Sequence, residues 1–458
     1  MINFLDVYAR ALEGPVIGER EFNLKHFVPA LKDVVKAHGI KYDKESPVPW
    51  DDEAADNLYD AAVDFLGRVG VYCMDTNRVI HFTREEILQA VKEAPGACFV
   101  GEGKDAAVLA VRKPDDRRVC GIHVGWGTIH ASEEIATNLM EALASIPEAK
   151  AMSVSATVSH IRGIPVTAGS PVEIYAAIRA IRIAREAMRR AGRPGMAMMN
   201  LIATAASAVT TIAASAPQFG LRPSDGWLIG VPAEMKTDFG GLNKAAYLLN
   251  WGANIGPETA PSLGGWCGGP EGTAVVNTAY FLMGLLVYQG NYHLTFPIHS
   301  HHGCCSTRDI LWVVASSCQA ASRNIPVPVI WLGYMAAGCN TKMYFHESAA
   351  YLLAATTSGA ASVKMPTPAR GVKIDASTPM EAYFGVSVTK GAARLDRQEA
   401  NELVLRLLEK YESDIPSAPE GDRYQDCYNV ETGKPGDAYA RLYDETVDEL
   451  TRMGIPFD

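Results

Sequence analysis

The sequence lacks the features that mark membrane-spanning and nucleic-acid-binding proteins. No stretch approaches the about 18 uninterrupted apolar residues that a membrane-spanning helix needs. Lysine and arginine form no basic cluster, and the formal net charge of the 458 residues is −10, which disfavours binding to phosphate backbones. We therefore expect neither a membrane nor a nucleic acid as a partner.

The sequence also lacks the marks of secretion. Its first stretch, MINFLDVYARALEGPVIGEREF, has neither a basic start nor a long apolar run, so it is typical of an amphipathic helix rather than a signal peptide. The nine cysteines are an odd number without framework spacing, in a chain too long to depend on disulfides. We expect a cytoplasmic protein in which most cysteines are small buried thiols.

What the sequence does contain is a repeated alternation of strand and helix. From about residue 150, short apolar runs such as GWLIGV, HLTFPIH and VPVIWLG alternate with amphipathic segments such as PVEIYAAIRAIRIAREAMRRAG. This many strand and helix units favour a closed barrel over two open sheets. We predict an α/β protein: a (β/α)8 TIM-type barrel over residues 101–395, with an N-terminal helical layer over 1–100 and C-terminal helices over 396–458.

Charged and aromatic residues follow the predicted strands, where a barrel of this kind carries its active site. Glu234, Glu258 and Glu271 lie after or between the apolar runs, and His299 and Tyr334 end two of them. Carboxylates can protonate a leaving group, and aromatic rings can enclose a cationic amine, although helix capping and core packing are the simpler alternatives. We assign the three glutamates as candidate catalytic residues, and the candidate substrate-binding residues are Tyr334, Trp266, His299 and Trp331.

One stretch, HLTFPIHSHHGCCST, concentrates four histidines and two cysteines within residues 293–307. Zinc needs three or four such side chains aimed at one point, and this spacing fits no standard zinc pattern. Neighbouring histidines in an extended chain also point to opposite faces. We assign no metal site; if a zinc ion did bind, its candidate ligands would be His299, His301, Cys304 and Cys339.

Several stretches resemble, in order, the monomethylamine methyltransferase family: GVYCMDTNRVIHFTREEI, IRGIPVTAGSPVEIYAA, AGRPGMAM, AEMKTD, PIHSHHGCCSTRD, AAGCNTKM and SAPEGDRYQDCYNVETGKPGDAY. The resemblance implies a TIM-type barrel, a homo-oligomer such as a hexamer, and methyl transfer from a methylamine to the cobalt of a corrinoid on a partner protein. It implies acid roles for Glu234 and Glu258 and a pocket role for Tyr334. The glutamine expected just before this tyrosine is missing, since Leu332 and Gly333 stand there.

The family's hallmark residue, pyrrolysine, does not occur in this sequence. Aligning AGRPGMAMMNLIATAASAVTTIAASAPQFG places the corresponding position near Ser215 or Ala216, and both side chains are small and unreactive. No covalent adduct is then available to hold the amine. A quaternary ammonium needs none, because it leaves as a neutral amine and requires only positioning and a pocket that matches its charge.

The sequence therefore predicts a methyltransferase that moves a methyl group from a methylated amine, for example a quaternary one, to cobalt(I) of a corrinoid protein, without zinc. Two alternatives stay open. Corrinoid methyltransferases acting on methanol or thiols use zinc to activate oxygen or sulfur, so a zinc-dependent O- or S-demethylase is one. The other is a barrel that binds a corrinoid protein or a small amine without turnover, which the missing hallmark residue would explain.

Overall fold

Eight short parallel strands form the centre of the protein. The structure is a computed structural model that describes residues 2–127, 131–199, 212 and 215–457. Strands that are neighbours along the chain pair with each other, and the last strand pairs with the first. In chain order they are β1 (Gly121–Val124), β2 (Ala149–Met152), β3 (Ala197–Met198), β4 (Gly226–Gly230), β5 (Asn254–Thr259), β6 (His293–Thr295), β7 (Val329–Trp331) and β8 (Ser362–Lys364).

The ring closes between β3 and β4, where Met199 forms a parallel bridge with Gly226. The predicted (β/α)8 TIM-type barrel is therefore confirmed. Gly226 and Gly256 leave space in the lumen for the Tyr292 ring, since a Cβ at either glycine would lie less than 3 Å from that side chain. The buried tyrosine thus fills the barrel near the start of the strands, away from the end that carries active sites.

Helices surround the barrel and separate it from solvent. The Pro270–Val287 helix is buried along nearly its whole length, because the Asp52–Val69 helix packs on the side away from the barrel. None of the helices within the described ranges combines the length and apolarity needed to cross a bilayer. The helices around the barrel are Ala136–Ala144, Pro171–Arg190, Phe239–Trp251, Pro270–Val287, Arg308–Asn324, Lys342–Thr357 and Pro379–Ala392.

The N-terminal segment is mainly helical, as expected, and is joined to the barrel by a small sheet. Strand Val71–Cys73 pairs with Arg78–Ile80 and with Lys236–Thr237, which lies in the connection after β4. The predicted capping box forms, since Thr83 accepts from the Glu86 amide and Glu86 from the Thr83 amide. The helices of this segment are Phe4–Glu13, Val28–Ala37, Asp52–Val69 and Arg84–Glu93.

The two predicted C-terminal helices are also present. Arg397–Tyr411 and Asp437–Met453 both pack on the Lys342–Thr357 helix, so this extension covers the outside of the barrel. The remaining paired strands are Ala97–Val100 with Ala107–Ala110, Ala131–Ser132 with Ala156–Thr157, His160–Ile161 with Ile164–Pro165, and Ser262–Leu263 with Ile298–His299.

A buried carboxylate ties the β3 and β4 seam together. Asp225 is fully buried just before β4, and its Oδ1 accepts from the Met198 amide of β3 at 2.9 Å. Its Oδ2 accepts from the Arg185 guanidinium and from the Arg222 amide. Since the seam has only a short backbone ladder among the described residues, these side-chain bonds supply much of its cohesion.

Asp225→Ala should destabilise the protein by about 3–5 kcal/mol, because it leaves the Arg185 charge largely buried without its carboxylate partner. Glu186→Ala is the control: it removes an exposed partner of Arg189 and Arg190 and should leave the stability nearly unchanged. The measurement is urea unfolding of both variants. Equal losses in the two variants would contradict the role assigned to Asp225.

Candidate active site

The alternation of side chains along the strands decides which residues face the lumen. The Thr295 hydroxyl of β6 donates to Asn277 Oδ1 on the surrounding Pro270–Val287 helix at 2.6 Å, so Thr295 faces outward. Its register partner on β5, Thr259, bonds to the Thr295 hydroxyl at 3.1 Å and faces outward too. Glu258 precedes Thr259, and successive side chains of a strand point to opposite faces, so Glu258 faces the lumen.

The same argument places a lysine and a histidine in the lumen. Trp331 of β7 pairs with the outward-facing Thr295 and packs on Phe281 of the Pro270–Val287 helix at a ring distance of 6.0 Å. Val363 of β8 pairs with Trp331, so the next residue, Lys364, faces inward. His123 of β1 is the register partner of Lys364 and lies beside it. Sequence reasoning missed both inward-facing residues.

An aromatic pair completes this end of the barrel. Phe296 follows β6 and Tyr334 follows β7, and their rings meet edge to face at 5.2 Å. On the other side of Glu258, its register partner Gly230 has no side chain, and a Cβ there would meet no described atom within 4 Å. Among the described residues, the Glu258 carboxylate therefore has no neighbouring side chain on the β4 side, and on the β6 side Phe296 lies two residues beyond its register partner Leu294. This region, formed by Glu258, Phe296, Tyr334, Lys364 and His123, is called the mouth below.

The charges in the mouth are set by burial and by one another. Burial raises the pKa of Glu258, and the ammonium groups of Lys364 and Lys244 act against that rise. Burial lowers the pKa of Lys364 to about 8 and that of Lys244 to about 7, and the Glu258 carboxylate opposes both shifts. Burial also lowers the pKa of His123 well below its usual value, so this imidazole is neutral. The mouth thus combines an acidic and a basic side chain, each of which opposes the pKa shift that burial causes in the other.

Glu234, predicted to be catalytic, is engaged in the connection after β4. It is 2% exposed, and its carboxylate accepts from the Ser262 amide at 3.1 Å and from the Cys267 thiol. Burial raises its pKa. These contacts join the connection after β4 to the connection after β5 and leave little of the carboxylate for a substrate.

Glu271 and Trp266 lie together, but in a surface groove formed with the Val28–Ala37 helix. The groove has a volume of about 490 Å³, and Trp266 is 43% exposed at its edge. The Glu271 carboxylate accepts from the Tyr42 amide at 3.2 Å. None of the residues of the mouth lines this groove, so the structure does not bring these two candidates to Glu258.

Trp331 and His299 also occupy positions away from the mouth. Trp331 is 1% exposed and lies in the layer between strand and helix. His299 pairs in register with Leu263 in the loops beyond β5 and β6, and its Nδ1 accepts from the amides of His301 and His302 at 3.2 and 3.4 Å. Of the four predicted substrate-binding residues, the structure places only Tyr334 in the mouth.

The donors of the histidine and cysteine stretch do not fit a zinc ion. His299 Nδ1 is occupied by backbone donors, and its Nε2 faces the Asp309 carboxylate at 3.9 Å. Zinc binds the thiolate form of cysteine, whereas burial raises the pKa of Cys304 to about 11, and the neighbouring Cys427 and burial raise that of Cys339 well above its usual value. Within the described part of the chain, no three His, Cys, Asp or Glu side chains are grouped to hold a metal.

Ser215 and Ala216 lie at the edge of the described residues. The Ser215 hydroxyl bonds to Tyr247 at 2.6 Å, on the helix Phe239–Trp251, and to the Ile212 carbonyl. Tyr247 belongs to an outer aromatic group with Trp251 and Trp227. The assignment of these positions as the pyrrolysine equivalent stays a prediction, because residues 200–211, which follow β3, are outside the described ranges.

The buried Glu347 and the partly exposed Arg370 hold the loops that carry Tyr334. The Glu347 carboxylate accepts from the Ala336 and Ala337 amides, each at 2.9 Å, and from the Ser306 hydroxyl. Arg370 donates to the His302 and Ala336 carbonyls. The loops after β6, β7 and β8 are thereby cross-linked, and the Tyr334 carbonyl also accepts from the Cys305 amide at 2.7 Å. Rigid loops of this kind keep a substrate pocket preorganised.

Comparison with known proteins agrees with this geometry. The family described as Monomethylamine methyltransferase MtmB matches residues 2–455. MtmB2 of Methanosarcina acetivorans is 29% identical over 455 residues, covering 99% of this chain and 98% of the relative. The chain belongs to the monomethylamine methyltransferase family. It is therefore a methyltransferase of the corrinoid-dependent class, as the sequence motifs predicted.

Further MtmB proteins give the same result. MtmB of Methanosarcina mazei is 28% identical over 452 residues, covering 99% of this chain and 98% of the relative. The crystal structure of Methanosarcina barkeri MtmB superposes with a TM-score of 0.95 at 27% identity, covering 99% and 98% of the two chains. A structure of a hydroxylamine MtmB complex matches with the same values.

Purified protein should carry far less than one zinc ion per chain, because the available thiols are protonated and His299 is occupied. The measurement is elemental analysis after expression in zinc-supplemented medium, with His301→Ala as a matched variant. We expect the same low zinc content in both proteins. If the wild-type protein contained one zinc ion per chain and His301→Ala contained none, the zinc site would be established.

Lys364→Met should stabilise the protein at neutral pH. The folded-state pKa of about 8 lies below the ordinary 10.5, so the unfolded chain binds more protons between these values, and wild-type stability rises with pH across this window. The free energy of unfolding of Lys364→Met should therefore exceed that of wild type by the largest amount below pH 8. This difference should shrink by about 3 kcal/mol towards pH 10.5.

Urea unfolding at pH 7 and pH 10 measures the difference in unfolding free energy between Lys364→Met and wild type. The titratable groups that both proteins share contribute equally to each measurement and do not affect this difference. Lys150→Met, at an exposed lysine of β2, is the control for replacing a lysine by methionine. An equal difference at both pH values would mean that Lys364 is not desolvated in the folded protein.

Proposed function

We propose that this MtmB-family enzyme moves a methyl group from a positively charged N-methyl compound, quaternary ones included, to cobalt(I) of a corrinoid on a partner protein. The observation that carries the proposal is that Glu258, with no described side chain beside it on β4, shares the carboxyl end of the barrel, where such enzymes bind substrates, with the Phe296 and Tyr334 pair. The homo-oligomer and the cytoplasmic location stay predictions.

The reaction defines what the mouth has to provide. The bond between nitrogen and the methyl carbon breaks, its electron pair stays on nitrogen, and cobalt(I) of the acceptor supplies the pair for the new bond to carbon. A positively charged nitrogen leaves as a neutral amine. The protein therefore has to hold the cation, orient its methyl group towards the acceptor and exclude water.

Phe296 and Tyr334 suit the first of these tasks. Aromatic ring faces attract quaternary ammonium groups, and a tilted pair offers two surfaces to one cation. The Glu347 and Arg370 contacts fix the loop that carries Tyr334, so the ring does not have to be ordered when the substrate binds.

Glu258 suits both kinds of donor. As a carboxylate it stabilises a quaternary ammonium through charge alone. With a secondary or tertiary amine, whose nitrogen must stay protonated until it leaves, the Glu258 carboxylate can accept a hydrogen bond from the N–H group and so keep the proton on the nitrogen. The described residues form no hydrogen bond or ion pair with this side chain, which leaves it available to a substrate.

The sequence itself supports a donor that needs no covalent anchor. No pyrrolysine is present, so positioning has to come from non-covalent contacts in the mouth. Among the described residues no group of His, Cys, Asp or Glu suits zinc, which gives no support to methanol or thiols, whose oxygen or sulfur requires metal activation. Charged N-methyl compounds are the donors that remain consistent with both observations.

Glu258→Gln should lower kcat for methyl transfer by about 100-fold or more, because the amide cannot stabilise the cation or hold a proton in its place. The assay follows methylcobalamin formation from anaerobic cob(I)alamin with a panel of methylated amines, betaines, methanol and methyl thioethers. Glu271→Gln, in the surface groove, should retain nearly full activity.

Two results would contradict the proposal. Transfer from methanol or thioethers alone, abolished by a chelator, would establish the zinc-dependent alternative. Full activity in Glu258→Gln together with loss of activity in Glu271→Gln would indicate that the surface groove is the active site.

A further inference from the structure

Opposite charges face each other across the mouth without forming an ion pair. Lys364 ends β8 and Glu258 lies near the end of β5, with β6 and β7 between them on one side of the ring. Lys364 is 3% exposed, and no described residue bonds to its ammonium group. Burying an ammonium group is costly, and no described residue offsets this cost with an ion pair, so Lys364 is suited to bind an anionic group of a ligand.

A second polar group beside Lys364 also lacks a partner. His123 is 1% exposed, and its Nε2 bonds to the Ser153 hydroxyl at 2.8 Å. Its Nδ1 is buried and has no hydrogen-bond partner among the described residues. Buried polar atoms normally have one, so the β8 and β1 side of the mouth presents two neighbouring polar groups that a ligand can satisfy.

The charge balance disfavours a bare cation. Glu258 attracts an ammonium group, whereas Lys364 and Lys244, the two lysines that interact electrostatically with Glu258, repel it. A low local dielectric strengthens both effects. A ligand that carries a carboxylate as well as an ammonium group is attracted on both sides and brings no net charge into the barrel.

We propose that the methyl donor is a zwitterion, an N-methylated amino acid or betaine, whose ammonium lies against Glu258, Phe296 and Tyr334 and whose carboxylate binds Lys364. This inference rests on the methyl transfer proposed above and names its substrate class. Two anchors on opposite sides of the barrel restrict the orientation of a small molecule far more than one does. They supply non-covalently the positioning that a covalent adduct would provide.

Isothermal titration calorimetry of the full chain tests this assignment without requiring turnover. The ligands are glycine betaine, β-alanine betaine and γ-butyrobetaine, which differ in the spacing of the two charges, with choline and tetramethylammonium as cations that lack a carboxylate. We expect one zwitterion to bind at least about 10-fold more tightly than choline, the gain of a charge-assisted contact with Lys364.

Variants test whether Lys364 is the cause of the tighter binding of the zwitterion. Lys364→Met should weaken zwitterion binding by about 10-fold or more and leave choline binding unchanged or tighter, whereas Lys364→Arg should retain most of the affinity. Lys150→Met is the surface control and should match wild type. Thermal unfolding verifies that each variant is folded.

The inference fails if no zwitterion binds better than choline, or if Lys364→Met weakens both ligand types equally. The cob(I)alamin assay separates this failure from that of the proposed function. Methylation by choline, tetramethylammonium or a simple methylamine without a preference for zwitterions would retain the methyl transfer and reject the zwitterion. Zwitterion binding that depends on Lys364, with no methylation from any N-methyl donor, would retain the binding site and reject the methyl transfer.

Discussion

Closure of the eight-stranded ring is the constraint on which the rest of the structure depends. Once β8 pairs with β1 and Met199 bridges to Gly226, every second side chain of every strand is directed into one narrow lumen. Residues far apart in the sequence, such as His123 and Lys364, become register partners. The mouth exists because these strands end together on one side.

Burial then determines the chemistry of the mouth. Glu258, Lys244 and Lys364 share an environment with little water, so each has a pKa displaced towards neutrality and each influences the others. Because folding gains little from leaving buried charges unpaired, such groups are concentrated where a protein binds ligands. Glu234 differs from Glu258 in this respect: the Glu234 carboxylate accepts from Ser262 and Cys267, whereas no described residue forms a hydrogen bond with the Glu258 carboxylate.

The loops beyond the strands contribute stiffness rather than charge. Glu347 and Arg370 contribute no group to the mouth, yet they join three loops and hold the aromatic pair in place. Tyr334 is therefore supported through its own loop and through the Cys305 amide. A pocket built in this way can orient a substrate without a covalent bond to it.

The sequence by itself determined the architecture. The periodicities and apolar runs that specify the strands and helices of a barrel are local patterns, so they can be recognised along the chain. The two C-terminal helices, the Thr83 capping box and the strand-end positions of Glu258 and Tyr334 could all be predicted in this way, and the family motifs pointed to methyl transfer. Lys364 could have been found as a charged residue ending the buried run AASVKM, and His123 as one within GIHVG.

Only the tertiary structure decided which strand-end residues converge. It separated Trp266 and Glu271 from the mouth and turned Trp331 outward, because the direction of a side chain depends on strand register and on neighbouring loops, which no local pattern contains.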